Sequence, residues 1–144
     1  MIFDDKLNNT WWALRIALGV APILAGLDKF FNLLTNWEAY LHPAVPQLLH
    51  VPSVTFMHVV GVIEIIAGIV VLSNFTRLGA YIVMAWLIGI ALSLVATGHY
   101  FDIAVRDLLI SVAAFSLARL TEVREAALGL DRHQSSATPL PRAS

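Results

Sequence analysis

The sequence predicts an all-α integral membrane protein, a four-helix transmembrane bundle. Hydrophobic residues make up 58% of its 144 residues and charged residues only 13%, whereas roughly a quarter of an average soluble domain is charged. Mean hydropathy is +0.76. Four apolar runs approach the roughly 20 residues that a helix needs to cross the hydrocarbon core. Lipid offers the backbone no hydrogen-bond partner, so only helices or closed barrels span it. These runs are too long and too continuously apolar for barrel strands.

The first run is Trp11–Phe31, preceded by a short segment, residues 1–10. Asp4 and Asp5 occupy the place of a signal peptide's basic region, and no small-residue cleavage pattern follows the apolar run, so this span is expected to stay in the mature protein. The next joint, Asn32–Ser53, contains Pro43, Pro46, Pro52, Trp37 and Tyr40 and is expected to lie along the interface, with Ser53 capping the second helix. Val54–Leu72, Leu78–Thr97 and Ile103–Leu120 are the remaining spans. The joints Ser73–Arg77 and Gly98–Asp102 are short enough to force antiparallel neighbours. Residues 11–120 thus form the transmembrane domain, and the polar stretch 121–144 is expected to be a disordered tail.

An even number of spans places both termini on one side. Lys6, Arg77, Arg119 and Arg124 lie near the membrane on that side and only Arg106 near the other. The basic excess predicts cytoplasmic termini in a bacterial-type inner membrane. A formal net charge of −1 gives no sign of a nucleic-acid partner, and the absence of cysteine excludes disulfides and thiol exchange by the chain itself.

Small residues let membrane helices approach closely. Each span carries such a stripe: Arg15, Gly19, Pro22, Gly26 and Lys29; Gly61, Glu64 and Gly68; Ala85, Gly89, Ser93 and Ala96; Asp107, Ser111, Ala114 and Ala118. All four stripes are expected to face the bundle interior.

Ionisable groups within spans are costly and mark function. Arg15 lies about 6 Å from Trp11 along the helix and is expected to snorkel to the inner headgroups. Glu64 lies about 15 Å into its helix, near the midplane. Protonated by desolvation, it has two partners in prospect: Ser111, or the Leu18 carbonyl that Pro22 leaves without its helix donor. Its role is either to fix packing as a neutral acid or to carry a proton or contact a ligand. The outer ends gather Asp28, Lys29, His58, His99, Asp102, Arg106 and Asp107. Asp102 and Arg106 are spaced as a helix-surface pair. The cluster is either a set of ion pairs that fixes the helix ends or a polar pocket suited to a quinone-like or lipid-like head group. His42, His50, His58 and His99 match no helical ligand spacing, so no metal or haem site is expected. Nucleotide loops, nucleophile constellations and HExxH are absent from the sequence, and no catalytic residue is assigned.

The run LRIALGVAPILAGLDKFF, the segment GVIEIIAGIVVL and the RD of AVRDLLISVAAFSLARL resemble the DoxX-like family of small four-span membrane proteins. The resemblance runs from Leu14 to Leu120 and implies a four-span bundle associated with membrane redox chemistry, with relatives that include a subunit of a thiosulfate:quinone oxidoreductase. Carried over by position, the family's polar signature falls on Asp28, Lys29, Glu64, Arg106 and Asp107. The implied function is an accessory or quinone-interacting subunit of a membrane oxidoreductase system, with a membrane or membrane-associated protein partner. Without thiols, a redox role means binding a quinone or a partner enzyme. A membrane scaffold or assembly factor is the first alternative. A proton-coupled solute transporter ranks behind it, because the chain lacks the repeats usual in transporters.

Overall fold

A computed structural model describes residues 3–137. Its helices are α1 (Asp5–Asp28), α2 (Ala44–Leu49), α3 (Ser53–Leu72), α4 (Thr76–Thr97) and α5 (Phe101–Ala137), with a 3₁₀ turn at Trp37–Tyr40. Among the described residues there is no strand. Four long helices pack as a ring: α1 lies against α3, α3 against α4, α4 against α5, and α5 closes back on α1. Helices α1, α3 and α4 are long and apolar enough to cross a membrane. Large apolar side chains point outward around the bundle, among them Ile16, Leu24, Ile66, Ile69, Leu92 and Val112. Water would penalise so continuous an apolar surface, and lipid does not. The chain is an integral membrane protein.

Helices α1 and α3 meet closely through glycines. A Cβ on Gly26 would overlap the Gly61 carbonyl oxygen, and one on Gly61 would lie 2.6 Å from the Gly26 carbonyl oxygen. Gly19 and Gly68 repeat the arrangement one level nearer the termini, where a Cβ on Gly68 would overlap the Gly19 carbonyl. These stripes face inward as expected, and in α5 Asp107, Ser111, Ala114 and Ala118 are buried too. The α4 stripe does not. Ala85, Gly89 and Ala96 are exposed, and α4 instead buries Thr76, Gly79, Ala80, Val83, Ala91 and Leu94. Gly79 fixes that choice, since its missing Cβ leaves room for the Val70–Val71 backbone of α3.

Helix α5 also departs from expectation. It continues through residues 121–137, where a disordered tail is expected; residues 138–144 lie outside those described. The extension is held by partners distant in sequence. Thr121 Oγ1 accepts from Trp11 Nε1 at 2.8 Å, Glu122 accepts from the Tyr81 hydroxyl at 2.8 Å, and Glu125 pairs with Arg77 at 3.2 Å. Ser53 does not cap α3 with its side chain: it donates to Glu38 Oε2 at 2.6 Å and so ties the first loop to the start of that helix. Between α4 and α5, Gly98 (φ 75°) takes the left-handed conformation that ends α4, and Tyr100 (φ 62°) is set edge-on to Tyr40.

Candidate functional site

The polar centre of the bundle follows from the Gly26–Gly61 contact. With no side chain between them, the helices approach until the Lys29 Cβ lies beside the Gly61 position. From there the lysine stem runs back along α3 by about one turn. Lys29 Nζ reaches Glu64 Oε2 at 2.6 Å, with both side chains buried (4% and 9% exposed). The second carboxylate oxygen accepts from Trp86 Nε1 of α4 at 3.4 Å. Glu64 is therefore held by α1 and α4. Ser111 donates to the Leu108 carbonyl of its own helix, so the expected Glu64 pairing with Ser111 or the Leu18 carbonyl is replaced by an ion pair. A cation one turn away outcompetes a neutral donor or acceptor for a desolvated carboxylate.

Asp28 organises the cover of this pair. Its carboxylate accepts from the backbone N–H groups of Leu33 (2.9 Å) and Leu34 (3.0 Å) and from Trp37 Nε1 (2.8 Å). These bonds fold the first loop back over the end of α1. The Trp37 indole then lies with Lys29 Nζ 3.7 Å from its ring centroid, a cation–π contact that shields the ammonium from solvent. Trp37 and Trp86, neither singled out as a site residue from the sequence, complete the assembly. Their signal was an indole donor within a membrane chain that buries a carboxylate, since a buried Trp N–H seeks an acceptor.

The remaining outer residues do not join this centre. Arg106 donates to Asp107 Oδ1 from Nε (3.1 Å) and Nη2 (3.0 Å), with Asp107 buried and the Arg106 side chain 62% exposed. The expected Asp102–Arg106 pair is replaced by this one, because the buried neighbouring carboxylate needs a counter-charge more than the exposed Asp102 does. His58 stacks on Phe30 with ring centroids 4.7 Å apart, and His99 is exposed in the α4–α5 turn. His42 Nδ1 accepts from the Ala44 N–H, and His50 ends α2. The outer histidines thus serve separate local structures.

Chemically, the centre is a closed unit. Both carboxylate oxygens of Glu64 have donors, and neither Lys29 nor Glu64 hydrogen-bonds to a further titratable side chain among the described residues. A proton passing between them would carry no charge to the surface. A cavity of about 330 Å³ opens beside the N-terminal half of α3, lined by Leu49, Val51, Thr55, Phe56 and Val59. It is apolar, and neither Lys29 nor Glu64 lines it.

Arg15 acts at the end of α3. It donates from Nε to the Val71 carbonyl at 3.2 Å and from Nη2 to the carbonyls of Leu72 and Ser73. Those are the last carbonyls of α3, unsatisfied within a helix and partly negative. The guanidinium thereby closes the C-terminal end of α3.

Residues 10–97, more than half of the chain, match the model of the family described as DoxX. The match takes in Asp28, Lys29 and Glu64 and stops short of Arg106 and Asp107. No curated protein and no solved structure gives a significant match.

Proposed function

From the premise that the chain belongs to the DoxX family, we propose that it is an accessory subunit of a membrane oxidoreductase system, one that serves a partner enzyme and performs no turnover alone. The observation that carries this reading is the closure of the polar centre. Lys29 is paired with Glu64 and lies against the Trp37 ring, Glu64 also accepts from Trp86, and Asp28 accepts from Trp37 and the loop backbone. In this role the Lys29–Glu64 pair ties α1, α3 and α4 together, and Asp28 fixes the outer loop. Exposed Asp102, Arg106 and His99 remain available to a partner at the same end. A quinone is the electron acceptor that this system would share.

The same reading places α5 across the bilayer as the fourth span, with both termini in the cytoplasm of a bacterial-type inner membrane. Lys6, Arg77, Arg119 and Arg124 support that orientation. The experiment compares the chain purified alone with the chain isolated in mild detergent from its native membranes. Reduction of a short-chain ubiquinone analogue is followed with thiosulfate or a dithiol as donor. The proposal expects no turnover by the chain alone, and turnover by the native isolate that falls when the chain is stripped away. Turnover by the chain alone, or activity indifferent to its removal, overturns it.

A further inference from the structure

At the end of the bundle that carries the N-terminus, a cavity of about 180 Å³ opens among α1, the α3–α4 turn and α5. Its lining includes Trp11, Arg15, Asn74, Arg124 and Glu125. Both guanidiniums lie against one indole: Arg15 Cζ is 5.0 Å and Arg124 Cζ 4.2 Å from the Trp11 ring centroid. Two cations share this confined space, yet neither forms an ion pair among the described residues. The nearby carboxylates are already committed, Glu125 to Arg77 and Glu122 to Arg119.

The donors left over decide what the cavity accepts. Its hydroxyls are occupied. Thr76 Oγ1 donates to the carbonyls of Val71 and Ser73, Ser73 Oγ to that of Val70, and Thr121 Oγ1 to that of Leu117. Arg15 commits Nε and Nη2 to α3 carbonyls, and Arg124 commits Nε to Asn8 Oδ1 at 3.3 Å. Arg15 Nη1, both terminal nitrogens of Arg124 and the Asn74 amide remain without acceptors among the described residues. A cavity whose uncommitted groups are the Arg124 fork, one further guanidinium nitrogen from Arg15 and an amide is built for an oxyanion, and a guanidinium fork matches phosphate oxygens in pairs.

We propose that this cavity is a phosphate-binding site, in which Arg15, Arg124 and Asn74 hold the phosphate group of an anionic lipid headgroup or of a small phosphate ester. Trp12, exposed beside Trp11, sits as an interfacial tryptophan does, which brings the cavity mouth to headgroup level. Arg15 at once closes α3 and presents its remaining nitrogen to the ligand. Occupation of the site would fasten α1, the α3–α4 turn and α5 together.

The test uses the full chain, purified and delipidated in detergent. Native mass spectrometry measures retention of phosphatidylglycerol against phosphatidylcholine, and a parallel thermal-stability titration uses inorganic phosphate. Arg124→Gln is the principal variant, since Arg15 also supports the fold. Arg132→Gln removes one charge from an exposed position on the same helix and serves as the control. Loss of one charge-assisted fork is expected to weaken binding roughly tenfold. Preferential phosphatidylglycerol retention, lost in Arg124→Gln and kept in Arg132→Gln, identifies a lipid headgroup. Stabilisation by inorganic phosphate with the same pattern of variants, and no preference between the lipids, identifies a soluble phosphate. Absence of both effects, or equal losses in the two variants, overturns the site.

Discussion

Removing one member of the Lys29–Glu64 pair should cost far more than removing both. At 2.6 Å the direct attraction is about 6 kcal/mol for an effective dielectric of about 20. Desolvating two ions costs several kcal/mol each, so the intact pair contributes little net stability. Lys29→Met reverses that balance, because it leaves Glu64 buried with only the 3.4 Å bond from Trp86. The expected loss is about 3–5 kcal/mol. Glu64→Leu, which strands the ammonium beneath Trp37, should cost a similar amount. The double variant replaces the pair with apolar groups and should lose less than about 2 kcal/mol, a large coupling between the two sites. Equilibrium unfolding in mixed micelles, with the two single variants and the double, measures that coupling. Losses that add in the double variant would refute the pair as a buried, mutually compensating unit.

Glycine substitutions should separate close packing from propensity. Gly26→Ala drives a methyl into the Gly61 carbonyl and should cost about 1–3 kcal/mol, while Gly89→Ala, with open space around it, should stabilise α4 by up to about 1 kcal/mol; thermal unfolding of the two variants checks both signs. Ending the chain after Leu120 strands the buried Trp11 N–H and removes the partners of Tyr81 and Arg77. That truncation should cost roughly 3 kcal/mol, whereas a dispensable tail would leave stability unchanged. Asp28→Asn should accelerate hydrogen exchange at the Leu33 and Leu34 amides, read by mass spectrometry, and exchange at wild-type rates would show that the carboxylate does not hold the loop.

The helices were legible in the sequence because lipid demands long apolar runs, and the α1 and α3 stripes because Gly19, Gly26, Gly61 and Gly68 leave gaps only a neighbouring backbone fills. Asp28, Lys29 and Glu64 stood out as costly charges. Their pairing was not legible: counted by helical rise, Glu64 lies near the midplane and Lys29 at the outer end. The Gly26–Gly61 contact sets the register between α1 and α3, and the lysine stem crosses the remaining turn. No single segment encodes that register. The extension of α5 was hidden for a related reason. Composition reads Thr121, Glu122 and Glu125 as solvated, while their partners Trp11, Tyr81 and Arg77 lie far away along the chain. The α4 stripe misled because small residues permit close packing without requiring it: Gly79 meets the α3 backbone, and Ala80 and Val83 join the core shared by the other three helices.

A four-span bundle requires α5 to cross the membrane as its fourth helix. The chain has no cysteine, so single cysteines at Asn36, Asn74, His99 and Arg132 report sidedness without background. A membrane-impermeant maleimide added to intact cells should label positions 36 and 99 at once, and positions 74 and 132 only after permeabilisation. Labelling of positions 99 and 132 from the same side would place both ends of α5 on one face and contradict the four-span bundle.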